Sequence, residues 1–323
     1  MNPQSAASTV LVLTEATDTT ADLVVKELAD CGASVMRVDT ADFPLSLQVS
    51  ARFDGTWRGE IRSTDRAVDL GDIRSVYVRR PTMFMFPESM TDAEQRFAGR
   101  EARRGIGGLL MSLSCSWVNH PSRAADAEYK PFQLQVAAAC GLSVPRTVIT
   151  NAPEHAAEHS AYLGSLAVYK ALASATVADG GRVAFIPTTE VATSDMADLR
   201  VALTAHQFQE RVPKVRDVRA TVVGRQVFAA NILSPDGGMI DWRTNYSALR
   251  YSPVSLPGKV EASLLALLDR LGLAFAAADF VVTADGQHHF VDLNPSGQWG
   301  WIQEATGLPI AAALAAHLTG EDL

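Results

Sequence analysis

The sequence predicts a mixed α/β protein of three units: a parallel-sheet unit first, a small central unit next, and a mainly antiparallel sheet unit last. Three observations predict it. The chain opens TVLVLTE (9–15), TADLVVKELADCG (20–32), SVMRVD (34–39), the strand–helix–strand order of a parallel βαβ unit. It ends in two apolar runs, FAAADFVV and HHFVDLNP, around Asp285-Gly286, a strong hairpin signal. At 323 residues it is long enough for two or three domains. The boundaries expected are 1–121, 122–200 and 201–323.

In the first unit, helix 20–32 stops at Gly32. Two strand-like pieces over 47–62 follow, then the buried strand IRSVYVRRP (73–81). TDAEQRFAGREARRGIGGLLMSL (91–113) is an amphipathic helix capped by Thr91 or Asp92, with GIGG (105–108) as close-packing residues inside it. SWVNHP (116–121) closes the unit. In the second, DAEYKPFQLQVAAACGL is helical, and Pro131 suits a first turn, so that helix starts near Lys130. PRTVIT, the helix APEHAAEHSAYLG and the strand LAVYK come next. ASATVADGGRVAFIP then reads as a hairpin tipped by Asp179-Gly180-Gly181, able to close as a flexible flap. A short helix around DMADLRVAL ends the unit. The third holds strands FQERVP, DVRATVVG, RQVFAANIL and MIDWRTN, a helix over about 257–271, the final hairpin and the helix LPIAAALAAHLTG.

Composition removes several functional classes. Apolar residues make up 47% and charged residues 20%, ordinary for a globular domain. Net charge is −8, against a general nucleic-acid binder. No apolar run approaches membrane-spanning length and no signal peptide stands at the start. Cys31, Cys115 and Cys140 are widely spaced, as expected of reduced thiols in the cytoplasm. No GxxxxGK[ST] loop and no convincing Ser-His-Asp or Cys-His arrangement occurs.

The chemistry concentrates in the last hairpin. With Asp285 and Gly286 as the loop, paired numbers sum to 571, which sets Asp279 opposite Asp292 and Asn294 one step along the same face. Opposed carboxylates repel unless something positive lies between them. A solvent-facing strand pair would also carry acids, but Phe275, Ala277, Phe280, Val281, Val282, Phe290, Val291 and Leu293 leave little polar surface there. Oxygen donors alone point to a hard cation, magnesium or manganese, which completes its shell with substrate phosphates. A nucleotide follows. Lys130, opening a helix, and Lys170, ending an apolar strand, are cations for its phosphates, although a lysine at a strand end is more often solvated. Glu210, between apolar residues in FQERVP, would reach a ribose hydroxyl beside an extended segment that grips adenine. Arg219 on an alternating strand either pairs with an acid or meets an anion.

Taken in order, Lys130, Lys170, FQERVP, DVRATVVG, DWRTN, Asp279 and FVDLNP resemble the ATP-grasp superfamily. YVRRP, KPFQLQVAAACGLSVPRTVITN, QERVPKVRDVRATVVG and above all NPSGQWGWIQEATGLPI narrow the resemblance to the ATP-grasp ribosomal peptide maturases that make microviridins and other graspetides. It covers nearly the whole chain. It implies an ATP-grasp fold: an N-terminal pre-ATP-grasp domain, a central lid and a C-terminal catalytic subdomain. It implies too that ATP phosphorylates an Asp or Glu side chain of a precursor peptide, and that a Ser or Thr hydroxyl, or a Lys amine, then closes a macrocyclic ester or amide. Under that resemblance Lys130 and Lys170 contact phosphates, Glu210 and Val212 frame adenine and ribose, and Asp217 holds the ribose or orients its neighbours. Arg219 stabilises the transferring phosphoryl group, Arg243 and Asn245 face the reacting carboxylate, and Asp279, Asp292 and Asn294 hold Mg²⁺ (or Mn²⁺). The family carries Glu where this chain has Asp292, one methylene shorter. Arg79 and Arg80 either draw in an acidic core peptide or form a surface ion pair. The expected partners are a precursor peptide, with a leader and an acidic Ser/Thr-containing core, and a second copy of the chain; the strand RVAFIPTTEV is a candidate edge for the leader. Two other readings share parts of this pattern: a ligase that adds a free amino acid to a carboxylate, of the ribosomal-protein glutamate ligase type, and a non-catalytic nucleotide-binding module. Arg219 and Asp279 serve charge rather than packing, so alanine at either is expected to leave the fold intact.

Overall fold

The structure is a computed structural model that describes residues 8–321 except 165, 174, 175, 180, 181 and 236–238. β1 (Thr9–Thr14), α1 (Thr19–Asp30) and β2 (Ser34–Val38) form the expected βαβ unit. β3 (Gln48–Phe53), β4 (Trp57–Arg62) and β5 (Ala67–Asp69) make a separate antiparallel sheet. β6 (Ile73–Arg80), α2 (Asp92–Met111) and β7 (Ser116–Val118) complete the parallel sheet, in the order β2-β1-β6-β7. Thr91 and Glu94 close a capping box at the start of α2, and the GIGG run lies inside it.

The central unit follows α3 (Pro121–Ala127) and α4 (Lys130–Ala139). Pro131 sits in the first turn of α4, where its missing N–H costs nothing. β8 (Thr147–Thr150), α5 (Pro153–Glu158), α6 (Ser160–Leu163) and β9 (Ala167–Lys170) come next. β10 (Thr176–Asp179) pairs with β11 (Arg182–Phe185), so the hairpin exists; its Gly180-Gly181 tip lies outside the described residues. β12 (Thr189–Val191) and α7 (Thr193–Met196) precede β13 (His206–Glu210). The sequence groups β13 with the third unit, but it is an inner strand of the central sheet, β12-β9-β13-β8. Local patterning marks a strand without naming its partners.

β14 (Lys214–Val223), β15 (Gln226–Leu233), β16 (Arg250–Val254), α8 (Gly258–Leu271), β17 (Phe275–Thr283) and β18 (His288–Asn294) build an antiparallel sheet ordered β16-β15-β14-β17-β18. The expected strand MIDWRTN is instead a 3-10 turn over Trp242–Thr244. Asp241 accepts the Arg243 N–H at 3.1 Å, and Thr244 Oγ1 donates to the Asp241 carbonyl at 2.8 Å. Such local bonds compete with a strand ladder. The edge strand is β16 next to it, where Pro253 lacks only an outward N–H.

One face of the five-stranded sheet packs Val218, Ala220, Phe280 and Phe290 on Leu264 and Leu267 of α8. The other face is divided. Val223, Phe228, Ala230 and Phe275 share a core with Val10, Val12 and Tyr77 of the parallel sheet and with α9 (Gly300–Thr306) and α10 (Ile310–Thr319). The first and last units are therefore packed as one body. The central sheet has its own small core around Val148, Leu163, Met196 and Phe208. The uncovered part of the divided face opens into a cleft. Among the described residues, no helix is long and apolar enough to cross a membrane.

Candidate active site

Three strands set the charged row. Arg219 of β14 stands directly opposite Asp279 of β17, and Asp279 opposite Asp292 of β18. Asn294 pairs with Ala277, two residues along from Asp292 on the same face. The register arises differently from the expectation. Thr283 N donates to the Gln287 carbonyl at 3.0 Å and Gly286, at φ +83°, donates to the Thr283 carbonyl at 2.9 Å. The loop therefore has three residues, which shifts Phe280 opposite Phe290. Val291 then bulges and restores Asp279 opposite Asp292. Two deviations cancel at the site. The bulge also has a use: the Val291 carbonyl accepts from Lys170 Nζ at 2.7 Å.

The opposed acids are held by cations from two directions. Arg219 clamps Asp279 through Nε to Oδ1 at 2.9 Å and Nη2 to Oδ2 at 2.8 Å, a bidentate fork. Lys130 Nζ lies 2.5 Å from Asp292 Oδ1. Lys130 and Gln133 are three apart on α4 and share a face. Gln133 fixes β18 by bonding both the Leu293 N–H, at 3.1 Å, and its carbonyl, at 2.8 Å. Burial opposes the negative charge of Asp292, but Lys130 and Lys170 outweigh it and hold its carboxyl below the ordinary range. Burial lowers the pKa of Lys170, with Asp292 working the other way. Burial also opposes the charge of Arg219, and Asp279 more than offsets it. Trp242 and Trp301 flank its guanidinium, 5.5 and 6.0 Å from their ring centres.

A second layer of pairs surrounds the row. Lys214 Nζ bonds both Asp217 oxygens at 2.7 Å and the Ile240 carbonyl at 3.0 Å. Burial pushes Asp217 up to about 6 even with Lys214 beside it. Arg243 forks onto Asp241 at 2.9 and 2.7 Å, and Asp241 also accepts the Thr188 N–H at 2.8 Å. The Phe185 ring of β11 lies 5.1 Å from the Arg243 guanidinium. The central unit thus touches the third at Arg243.

Lys170, Glu210, Val212, Asp217, Arg243, Asp279 and Asp292 all line one cleft of about 490 Å³ between these units. Pro145, Leu163, Leu166, Val168, Val281 and the segment 209–213 also line it. There Glu210 Oε2 accepts from Arg146 Nε at 2.8 Å, so its carboxylate is already engaged. Lys130 reaches the cleft through Asp292. Asn294 accepts the Ser296 N–H at 2.9 Å, and Asn245 is an exposed residue bonded by Ser247, outside the cleft lining. Arg80 is exposed at the end of β6.

Arg79 is a correction. Neither a peptide-drawing arginine nor a surface pair fits, because its side chain is only 1% exposed. It donates to the Ser296 carbonyl at 2.8 Å and to Gln298 Oε1, and its Nε lies 3.7 Å from Asp18 Oδ2. Sequence reasoning also missed Lys214, Asp241, Gln133 and Asn119. Asn119 bonds the N–H groups of Ala274 and Phe275 and the carbonyls of Phe275 and Pro295, tying β7 to the site strands. Only Asp241 carried a signal, the Asx-turn potential of DWRT.

The donor set of Asp279, Asp292 and Asn294 is all oxygen and fits a hard cation. Among the described residues no cluster of three His, Cys, Asp or Glu side chains forms a closed metal site. Two carboxylates with an open side suit a magnesium ion that shares phosphate ligands.

Comparison with known proteins bears on the fold. A family model for the MvdD pre-ATP grasp domain matches residues 9–125. No curated protein sequence matches the chain. Among solved structures, the macrocyclase MdnC from Microcystis aeruginosa MRC, bound with precursor peptide MdnA, is 29% identical with a TM-score of 0.85, over 97% of this chain and 99% of that one. A Chryseobacterium gregarium RiPP-associated ATP-grasp ligase, in complex with ADP and a leader and core peptide, is 26% identical with a TM-score of 0.89, over 98% of each chain. The macrocyclase MdnB from the same Microcystis strain is 26% identical with a TM-score of 0.80, over 96% and 99%. The chain has the ATP-grasp fold along its length, and its resemblance to ribosomal-peptide ATP-grasp macrocyclases holds.

Proposed function

We propose that this chain, an ATP-grasp ligase in fold, is an ADP-forming macrocyclase acting on a ribosomally made precursor peptide. The observation that carries the reading is the row Arg219–Asp279–Asp292 across three strands, met by Lys130 and Lys170, with both acids of the row lining a cleft that Leu163, Leu166 and Val168 also line. Similarity over nearly the whole length to enzymes solved with precursor peptides supports a peptide substrate.

In this reading adenine lies against Leu166, Val168 and the backbone of 210–213, with Glu210 and Asp217 near the ribose. Lys130 and Lys170 meet the phosphates; Lys130 exchanges Asp292 for a phosphate oxygen. A magnesium ion held by Asp279, Asp292 and Asn294 would neutralise charge on the phosphates as they transfer. A peptide carboxylate oxygen attacks the γ-phosphorus and ADP leaves, giving an acyl phosphate. Arg219 and Arg243 hold the charge that develops on the transferring group and the carbonyl. A Ser or Thr hydroxyl, or a Lys amine, then attacks that carbonyl, loses its proton, and phosphate departs. Nothing in this sequence needs a covalent enzyme nucleophile: positioning and fixed charge suffice. We further assign the enzyme to the cytoplasm, consistent with three free cysteines, and to a homodimer.

The test is mass spectrometry of an acidic, Ser/Thr-rich precursor incubated with ATP and magnesium. Loss of one water mass per ring, with one ADP formed, supports the reading. Gain of an amino-acid mass would instead indicate a ligase for free amino acids, and overturn it.

A further inference from the structure

We infer that Arg79 is a positioning residue through which the N-terminal domain sets the orientation of Arg219. The inference deepens the proposed function by naming what orders its central arginine. Arg79 lies on β6 of the parallel sheet, far in sequence from every other site residue. Its guanidinium enters the turn after β18 and bonds the Ser296 carbonyl at 2.8 Å and the Gln298 side chain. Thr20 Oγ1 donates to the same Gln298 oxygen at 3.1 Å. The Gln298 carbonyl, in turn, accepts from Arg219 Nη1 at 3.1 Å. At the other end of the turn, Ser296 donates its N–H to Asn294 Oδ1 at 2.9 Å. One buried side chain thus pins the turn that holds Arg219 from one side and Asn294 from the other.

Arg79 is poorly matched as a purely structural ion pair. Its acid, Asp18, is 3% exposed and 3.7 Å away, and it is already used: Oδ1 caps α1 through Thr20 and Ala21, and Oδ2 accepts from Thr14 Oγ1 at 2.8 Å. Arg79 Nε has no hydrogen-bond partner. Burying a guanidinium on such terms costs stability. What it gains are two acceptors in fork geometry, which a lysine's single point charge cannot serve together. The fork lands on the turn rather than on the acid.

The test uses Arg79→Lys and Gln298→Leu in the full chain, with hydrogen exchange of the 296–300 amides and steady-state kinetics as readouts. Arg79→Lys is expected to speed exchange in 296–300 while leaving strands 9–14 and 275–283 protected, and to lower kcat by about 100-fold, the scale of a misplacement of about 1 Å. KM for ATP should change far less than kcat, because Arg79 itself lines no part of the cleft and acts on it only through Arg219 and Asn294. Gln298→Leu cuts the same link from the other end, so the double variant should be no slower than the slower single one. Additive losses, or exchange that rises everywhere in step with lost stability, would overturn the inference. Exchange is read without turnover, so a wild-type chain inactive on peptides would sink the proposed function and leave this test standing.

Discussion

At the scale of single residues, the site consists of acids and bases that neutralise one another. Arg219 and Asp279 show the consequence. With side chains 10% and 19% exposed, each is the other's compensation. The expectation that alanine at either leaves the fold intact does not survive this geometry. Removing one partner strands a charge, at about 3 kcal/mol for a pair this buried, so a dead Arg219→Ala variant would say little about catalysis. Arg219→Lys retains the charge and loses the fork. Its denaturation midpoint should stay near that of the wild type while turnover falls at least about 100-fold; a lysine variant at wild-type turnover would remove Arg219 from the mechanism. Asp217 offers a pH test. Its folded pKa of about 6 stands above the unfolded value of 3.8, so the folded chain holds the extra proton between them. That contribution to stability is complete below pH 3.8 and lost as pH rises through about 6. Asp217→Asn should flatten the slope of stability against pH across that window. An unchanged slope would place the titration elsewhere.

At the scale of elements, the sequence was most readable where a local rule also decides the structure. The βαβ opening, the Pro131 helix start and the Thr91 cap depend on neighbours in the chain. Asp279 opposite Asp292 was read correctly through a loop one residue too short, because the Val291 bulge restores the count. A bulge answers to what lies beside the strand, here Lys170, and has no signature of its own. The same limit explains Arg79: an alternating strand ending in two arginines does not say what will be packed over it. The Pro-Ser-Gly turn gives an element-scale prediction. A Cβ on Gly297 would sit 2.4 Å from the Ala277 Cβ, on the strand that carries Asp279. Gly297→Ala must therefore lift the turn, at about 1–3 kcal/mol, and carry Asn294 and the Gln298 carbonyl away from the row. Adding Ala277→Gly deletes the colliding atom and should recover much of the lost turnover; a double variant as slow as the single one would mean the glycine matters for another reason.

At the scale of the whole molecule, three units read from sequence become two mechanical bodies. Val10, Tyr77, Phe275, Trp299 and Leu314 lie in one core, so the first and last units should unfold together. Leu314→Ala, at a site with no exposed surface, should cost about 2–5 kcal/mol and shift probes in both units by the same amount. The central unit has a separate core around Phe208. It meets the rest across the cleft through Lys170 on the Val291 carbonyl, Thr188 on Asp241 and Phe185 on Arg243. With its own core and these contacts across the cleft among the described residues, it should open at a lower cost than global unfolding. A nucleotide would lie between the bodies and touch both, adding ligand contacts to that set. ATP with magnesium at about 100 times its Kd should add about 2.7 kcal/mol of stability. The added protection against hydrogen exchange should fall on 147–150, 167–170 and 206–210 rather than on 9–14. Protection spread evenly over both bodies would mean the cleft is rigid before it is filled, and that the central unit is no lid.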